Sequence, residues 1–194
     1  MSVLQIAQVG DPVLRRRAAE VLPEELHSPA VQQLIDDLIE TRRAAGGAGL
    51  AANQVSELKR IAVVEVDEAA RRRYPYKPPF ELTVIVNPVI EPLSSETLLV
   101  NEGCLSVPGL RGDVPRHRRV RVHHLDRDGQ VRETIVDGLT AGTFQHELDH
   151  LDGVLFLDRV RDPTSFSTWE EFERHHREAF LARVRPWIYQ ESQV

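Results

Sequence analysis

Two histidines four residues apart constrain the fold of this 194-residue chain more than any other feature of its sequence. His146 and His150 enclose Glu147 in the pattern HExxH. Residues four apart lie on one face of an α-helix, so both imidazoles reach one metal ion if this segment is helical. The glutamate then lies beside the ion as an acid–base group. The sequence therefore predicts a metal-binding helix that needs a third ligand from elsewhere in the chain.

The third ligand does not come from the extended protease pattern HExxHxxGxxH. The chain follows that pattern as far as Gly153, but position 156 is Phe. The natural candidate is the thiolate of Cys104, the single cysteine. Two imidazoles and one thiolate leave one tetrahedral position open, which is typical of a catalytic site. This donor set suits Fe²⁺, Zn²⁺, Co²⁺ or Ni²⁺. With Glu147 to move the proton of an activated water, it predicts hydrolysis of an amide or ester.

Composition restricts the class of protein and its location. The length suits one domain, and a single cysteine excludes an intrachain disulfide framework, as expected in a reducing compartment. No apolar run reaches 18 residues and the N-terminus does not resemble a signal peptide, so we expect a cytoplasmic protein without a membrane span. The net charge of −6 argues against general nucleic-acid affinity, and no specific DNA partner is expected.

Hydrophobic periodicity predicts an α+β fold rather than a doubly wound one. Apolar residues spaced as in a helix follow Ser28-Pro29 and end at Gly46-Gly47. We expect antiparallel or mixed sheets packed around a central HExxH helix, with a C-terminal helix. The chain is predicted to be one catalytic domain over 1–194, with a helical extension over about 163–194. The predicted strands are 60–66, 82–90, 98–100, 120–125 and 131–136, and the predicted helices are 139–151 and about 167–184. Residues 69–80 are predicted to form an exposed loop. The adjacent histidines His123-His124 and His175-His176 are predicted to lie on the surface.

A glycine-rich segment follows the first long helix. It reads GAGLAANQ over residues 47–54 and ends in Gln54, whose neutral amide is able to donate a hydrogen bond to an oxyanion. Glycines without side chains also let a substrate backbone approach closely. On its own, however, this segment is more typical of a turn that caps a helix.

Taken together, three segments resemble the peptide deformylases. They are GAGLAANQ (47–54), EGCLS (102–106) and QHELDH (145–150), and their order and spacing agree with the family. The resemblance extends over roughly residues 4 to 160. Three motifs in register are far more specific than HExxH alone.

The resemblance implies a role for each matching position. Cys104, His146 and His150 would bind one divalent metal ion, most often Fe²⁺ in this family, with Zn²⁺, Ni²⁺ or Co²⁺ also accepted. Glu147 would be the general acid and base, while the Gln54 side chain and the Leu105 backbone N–H would hold the oxyanion. The implied substrate-binding residues are Ala48, Gly49, Glu102, Gly103 and Gly142, and the implied supporting residues are Arg111 or Arg116, Gln145 and Asp149.

The family removes the N-formyl group from the N-terminal formyl-methionine of nascent polypeptides and releases formate. The resemblance thus implies N-formylated nascent peptides as substrates, the ribosome near its exit tunnel as a partner, and a monomer or weak homodimer. Ala48 and Gly142 are small where many members carry larger side chains, so we expect weaker selectivity for methionine. The alternatives are a deformylase-like amidase acting on a specialised substrate and a zinc endopeptidase.

Overall fold

The computed structural model describes residues 2–188, which form eight strands and a set of mostly short helices. The strands, in chain order, are β1 (Gly49–Ala51), β2 (Ile61–Val66), β3 (Phe80–Pro92), β4 (Thr97–Cys104), β5 (Val107–His117), β6 (Arg119–Leu125), β7 (Val131–Asp137) and β8 (Ser167–Thr168). The α-helices are α1 (Pro23–Leu26), α2 (Pro29–Ala45), α3 (Glu68–Arg73), α4 (Gly138–Leu151), α5 (Phe156–Arg159), α6 (Trp169–Glu171) and α7 (Arg177–Val184).

The strands form two antiparallel sheets, which confirms the predicted α+β class. One sheet has five strands in the order β1-β2-β3-β6-β7, and the other has three in the order β4-β5-β8. The sequence did not predict β5, which contains Pro108 and Pro115. Proline cannot donate to a strand ladder and is tolerated at open edges. Strand β8 pairs with β5 only at Leu110 and Arg111, so most of that edge of β5 is open.

Helix α2 forms where its periodicity predicts it. The Ser28 hydroxyl accepts a hydrogen bond from the Val31 N–H, which satisfies one free donor of the first turn. Gly46 ends the helix with a φ of 62°, a left-handed conformation that glycine adopts without strain. Its apolar face packs against β1, β2 and β3 in a buried cluster that includes Ile35 and Leu38. This packing places the segment 47–54 beside the sheet.

Helix α4 carries the HExxH pattern and packs on the five-stranded sheet. Ala141, Phe144 and Leu148 are buried in one cluster with Ile85 and Val122 of that sheet. His146 and His150 project from other positions of the same helix and are also buried. The helix is therefore held against the sheet while its two histidines face a second layer of the molecule.

The predicted exposed loop at 69–80 is wrong. Helix α3 occupies its first part, because the Asp67 carboxylate caps the Ala70 N–H. Tyr74 and Tyr76 are buried. The Tyr76 ring packs edge-on against Phe180, at 5.2 Å between centroids. Prolines and arginines indicated exposure, whereas the aromatic partners that bury this segment lie about a hundred residues later in the chain.

The C-terminal helix is confirmed over the described residues. The Thr168 hydroxyl caps the Glu171 N–H, as the local pattern predicts. A π-helical turn at Phe172–His176 joins α6 to α7. Phe180 and Val184 are buried in one cluster with β4 and the start of α4, so the helix packs on the domain. The part of the 163–194 extension beyond residue 188 lies outside the described residues.

One member of a predicted surface pair is buried. His124 is only 5% exposed, and its ring nitrogens lie 3.1 Å from the Thr134 hydroxyl and from the Leu125 carbonyl. His123, the next residue on β6, remains about half exposed. Alternation along the strand separates the two rings, so they do not chelate one ion.

Candidate metal centre

Three donor atoms from β4 and α4 converge at one point. The Nε2 atoms of His146 and His150 are 3.3 Å apart, and the His150 Nε2 is 3.2 Å from the Cys104 Sγ. Two nitrogen ligands of a tetrahedral ion lie about 3.3 Å apart when each metal–nitrogen bond is about 2.05 Å. All three residues are buried. The spacing of the two imidazole nitrogens therefore fits one divalent transition metal, with the Cys104 thiolate close enough to be a third donor.

A carboxylate fixes the orientation of His146. Its Nδ1 lies 2.8 Å from a carboxylate oxygen of Glu102, so a proton on Nδ1 is donated there and Nε2 is left for a metal. Arg116 binds the same carboxylate through two hydrogen bonds, of 2.7 and 2.9 Å. Burial alone raises the pKa of Glu102, but the charge and hydrogen bonds of Arg116, together with His146, lower it below its usual value. Glu102 is thus a buried anion that holds the imidazole.

The supporting residues named from the sequence have different partners. Arg116 also donates to Asp149 at 2.6 Å, and Asp149 accepts a further hydrogen bond from Arg159 at 2.8 Å. Gln145 instead binds the backbone N–H and carbonyl of His117, so it ties α4 to the end of β5. Asp149 therefore connects to the ligands through Arg116, whereas Gln145 does not contact them.

Arg111 is buried, and its hydrogen bonds in residues 2–188 go to Asn101 and Tyr76 rather than to Cys104, His146 or His150. Its Nε donates to the Asn101 side chain at 2.7 Å, and one terminal nitrogen donates to the Tyr76 hydroxyl at 3.2 Å. Its guanidinium stacks 3.9 Å from the centre of the Trp169 ring. Of the two arginines, Arg116 is thus the one that contacts Glu102.

Backbone contacts hold His150 and the turn after Cys104. The Asn53 side chain donates to the backbone carbonyl of His150. The Ser106 backbone N–H lies 3.4 Å from the Cys104 Sγ and donates to it. Sequence reasoning gave neither Asn53 nor Ser106 a role, although both lie within the recognised motifs. Asn53 thus holds His150 through its backbone, whereas Ser106 holds the Cys104 sulfur itself.

Glu147 lies beside the donors, and one of its carboxylate oxygens is left without a hydrogen bond in residues 2–188. It is 4% exposed, and its Oε2 has no hydrogen-bond partner within residues 2–188. Burial raises the pKa of its carboxyl to about 7. A carboxyl with that pKa exchanges protons readily at neutral pH. Gly49 of β1 makes room for it, because a Cβ at position 49 would overlap this carboxylate.

The Gln54 amide is oriented by its own segment. Its oxygen accepts a hydrogen bond from the Ala51 N–H at 2.9 Å, so its nitrogen faces the site. That nitrogen lies 3.0 Å from the Ser106 hydroxyl and 3.6 Å from the Cys104 Sγ. An amide nitrogen carries two N–H donors, and these two contacts use both, so an oxyanion at this place would replace one of them.

One cavity opens beside the donors. Nearly all of the site residues that the sequence predicts line this cavity. His150 does not line it and is fully buried. The cavity also contains residues that sequence reasoning missed, because they lie in the supposed loop or carry no motif. The predicted residues that line it are Ala48, Gly49, Gln54, Glu102, Gly103, Cys104, Leu105, Arg111, Gly142, His146 and Glu147, and those missed include Tyr74, Tyr76, Lys77, Val100 and Thr143.

The fold and the site define a class of protein: an α+β metallohydrolase in which an HExxH helix and a strand thiolate supply a donor set able to bind a metal ion. Within residues 2–188, no helix is both long and apolar enough to cross a membrane. The family model described as polypeptide deformylase matches residues 3–166, and the chain belongs to this family.

Relatives and solved structures agree with this assignment. Peptide deformylase 2 of Nostoc sp. is 45% identical over 171 residues, which are 88% of this chain and 93% of the relative. The peptide deformylase of Pseudomonas aeruginosa is 41% identical over 92% of this chain and 99% of its own. The Met-Ala-Ser-bound class I type b peptide deformylase of Acinetobacter baumannii superposes with a TM-score of 0.76 at 41% identity, covering 82% of this chain and 99% of that one.

Proposed function

We propose that this protein is a metal-dependent hydrolase that removes the N-formyl group from the N-terminal formyl-methionine of nascent polypeptides and releases formate. The observation that carries the proposal is the arrangement of Cys104, His146 and His150 around one point, with Glu147 unpaired beside them. The name of the Acinetobacter structure supports the substrate class, since that relative was solved with Met-Ala-Ser bound. The whole chain, 1–194, is proposed to be a single catalytic domain.

Cys104, His146 and His150 would hold one divalent ion. We propose Fe²⁺ as the working metal, with Zn²⁺, Ni²⁺ and Co²⁺ also accepted by this thiolate and imidazole set. When bound, the ion supplies Lewis acidity and lowers the pKa of water toward neutrality. Glu102 keeps the His146 proton on Nδ1, so the Nε2 lone pair is free for that ion.

Glu147 is proposed to move the proton. Its carboxyl, with a pKa raised to about 7 by burial, takes a proton from the attacking water and returns it to the leaving amine nitrogen. A carboxyl whose pKa lies near the operating pH accepts the first proton more readily than one with an ordinary pKa near 4 and still gives it up at the second step. The buried position of Glu147 therefore suits both steps.

Gln54 and Leu105 are proposed to stabilise the oxyanion. The Gln54 nitrogen already faces the ligands, because Ala51 holds the amide oxygen. The Leu105 backbone N–H belongs to the turn between β4 and β5, next to Cys104. Donors fixed before the reaction cost no reorganisation when charge develops, and one such donor is worth about 3 kcal/mol at the transition state.

The substrate would lie along the two segments that border the cavity. Gly49 and Gly103 offer backbone groups without intervening side chains to a peptide in extended conformation. Ala48 and Gly142 leave the pocket for the first side chain wider than larger residues would. We propose weaker selectivity for methionine on this basis. Comparing formyl-Met, formyl-Leu and formyl-Phe peptides tests it; a strong preference for formyl-Met would contradict it.

The remaining assignments follow from this activity. We propose a cytoplasmic bacterial protein that is monomeric or weakly dimeric and works near the ribosomal exit tunnel, where formylated chains emerge. A zinc endopeptidase is not favoured. At the position where that class has a third histidine, Phe156 is buried and stacks on His146 at 6.3 Å between ring centroids. No feature of the cavity favours a specialised metabolite over a peptide.

Formate release from formyl-Met-Ala-Ser, compared with acetate release from acetyl-Met-Ala-Ser, tests the activity and its selectivity for the formyl group. Glu147→Gln preserves the shape of the side chain and removes its proton transfer, so formate release should fall by at least 100-fold. Glu20→Gln makes the same chemical change at an exposed position and is the matched control. Equal activity of the Glu147 variant and wild type would overturn the proposed role, and cleavage of internal unformylated peptide bonds would favour the endopeptidase.

A further inference from the structure

A lysine ammonium enters the cavity beside the metal ligands. Lys77, between α3 and β3, places its Nζ 2.7 Å from the Thr143 hydroxyl on α4. The Thr143 hydroxyl donates its own proton to the Leu139 carbonyl at 3.1 Å, so its oxygen accepts from Lys77. Lys77 and Thr143 both line the cavity that contains Glu147 and Gly142. The ammonium is thus fixed at the wall of the substrate pocket.

The Lys77 ammonium has more N–H donors than there are protein acceptors within hydrogen-bonding distance of it. It carries three N–H groups, and the Thr143 oxygen accepts one of them. The Tyr74 ring lies 5.1 Å from Nζ and covers another side by a cation–π contact. The hydrogen bonds of residues 2–188 give Nζ no second acceptor. Lys77 is partly buried, and a hydrogen bond from a charged donor contributes more than one from a neutral donor, so a ligand that supplies an acceptor is favoured.

The surrounding charges favour a neutral acceptor. The carboxylates of Glu102 and Glu147 already attract the Lys77 ammonium, and Arg111 repels it. A ligand carboxylate at this place would meet the same two carboxylates. A carbonyl or sulfoxide oxygen accepts from the ammonium without that repulsion. The small residues Ala48 and Gly142, which line the same cavity, leave space for an unbranched side chain with such a group at its end.

We propose that Lys77 is a specificity-determining residue, which directs the pocket for the first side chain toward residues with a neutral oxygen acceptor at their far end, such as glutamine and methionine sulfoxide. The proposal rests on the proposed function, since it concerns the pocket of that same site. The proposal adds peptides with a polar first side chain to the substrates, and an apolar pocket for methionine would disfavour such peptides.

The test compares two formyl peptides that differ mainly in this acceptor. Formyl-Gln-Ala-Ser carries it, whereas formyl-norleucine-Ala-Ser has an apolar chain of similar length. The quantity measured is the ratio of their kcat/KM values with Co²⁺-loaded protein. Lys77→Met should lower the glutamine-to-norleucine ratio about tenfold to 100-fold, the usual range for a hydrogen bond to a charged group. The matched control is Lys59→Met, because Lys59 and Lys77 are the only lysines and Lys59 pairs with Glu25.

Thermal unfolding of both variants shows whether they are folded, and Thr143→Val is the second variant. It removes the acceptor that fixes Lys77 and should lower the same ratio. A ratio that changes less than twofold in folded Lys77→Met overturns the proposal, since a residue that only braces the segment would slow both peptides alike.

Calorimetric binding of Gln-Ala-Ser and norleucine-Ala-Ser separates this proposal from the activity. If wild type prefers Gln-Ala-Ser and Lys77→Met loses that preference, Lys77 has the proposed role even where no formate is released, and only the deformylase function fails. If wild type shows no preference between the two peptides, the proposal for Lys77 fails.

Discussion

Gly49 of β1 leaves the space that the carboxylate of Glu147 occupies on α4. A Cβ on residue 49 would overlap the carboxylate atoms, which are buried. A strand residue without a side chain therefore sets the position of the proposed acid–base group. Strand β1 also borders the cavity. The missing side chain of Gly49 therefore leaves space both for the Glu147 carboxylate and for the proposed substrate.

Gly49→Ala should lower kcat by about 100-fold, because a displacement of about 1 Å from a reactive geometry has an effect of that size. Steady-state formate release measures it. Metal content should stay near wild type, since the three ligands do not contact this Cβ. Gly142→Ala is the comparison, because a Cβ there would lie 3.5 Å from Val100, an ordinary contact. Equal losses of kcat in both variants would show that a smaller cavity, rather than a displaced Glu147, lowers the activity.

Arg116 should be necessary for folding and for metal affinity. Arg116→Met leaves Glu102 and Asp149 without their shared cation, and breaking a buried pair in this way costs about 3–5 kcal/mol. Loss of the group that orients His146 through Glu102 should weaken metal binding about 10-fold to 100-fold. Urea unfolding and a chelator competition measure the two effects.

The control for Arg116 is a surface arginine. Arg174 pairs with Glu170 and Glu171 on the exposed side of the C-terminal helix, where such pairs are worth less than about 1 kcal/mol. Arg174→Met should therefore change neither the free energy of unfolding nor the metal affinity by much. An Arg116 variant as stable as the Arg174 variant would contradict the argument for a buried network.

The charge of Lys77 should make stability depend on pH. Burial lowers its pKa from 10.5 to about 8, partly opposed by Glu102 and Glu147 and reinforced by Arg111. The pKa of the neighbouring Tyr74 is raised to about 12 by burial, so this phenol remains neutral below pH 11. Between pH 8 and 10.5 the unfolded chain binds more protons at position 77 than the folded chain. Stability from this group therefore rises with pH across that window.

At neutral pH the partly buried ammonium costs up to about 3.4 kcal/mol, because lowering the pKa from 10.5 to about 8 costs about 1.36 kcal/mol for each pKa unit. The free energy of unfolding of Lys77→Met minus that of wild type should fall as pH rises from 7 to 10.5. Urea unfolding of the metal-free proteins measures this difference. Lys59→Met should show no such trend. Parallel pH curves for Lys77→Met and wild type would mean that the ammonium is solvated in the folded protein.

Oxygen should inactivate the Fe²⁺ form. The Cys104 thiolate would lie against the iron, and both are open to oxidation. Protein loaded with Ni²⁺ should lose activity more slowly in air, because nickel is not oxidised under these conditions. Activity decay and the mass of the cysteine-containing peptide report the two reactions. Equal decay rates for both metals would contradict this explanation.

Local pattern and short motifs predicted much of this molecule, because they act over one or two helical turns. The spacing of His146 and His150 requires α4, and Ser28 and Gly46 determine where α2 begins and ends. The side chain of Lys77 was not predictable in the same way. Its segment was taken for an exposed loop, since the rings that bury Tyr74 and Tyr76 belong to the C-terminal helix.

The partners of Arg111 and Arg116 were not predictable from the sequence for the same reason. Sequence alone treated them as interchangeable supports, although they lie five residues apart on one strand. Their side chains meet different partners, Asn101 with Tyr76 for Arg111 and Glu102 with Asp149 for Arg116. Strand pairing and the position of α4 decide this, and neither is encoded within a few residues of the arginines.

The most direct test of the account is formate release measured together with metal content in anaerobically purified protein. The account predicts one divalent ion per chain, release of one formate for each formyl-Met-Ala-Ser consumed, and loss of both ion and activity in Cys104→Ala. Undiminished formate release by metal-free wild type, or by Cys104→Ala without metal, would contradict it.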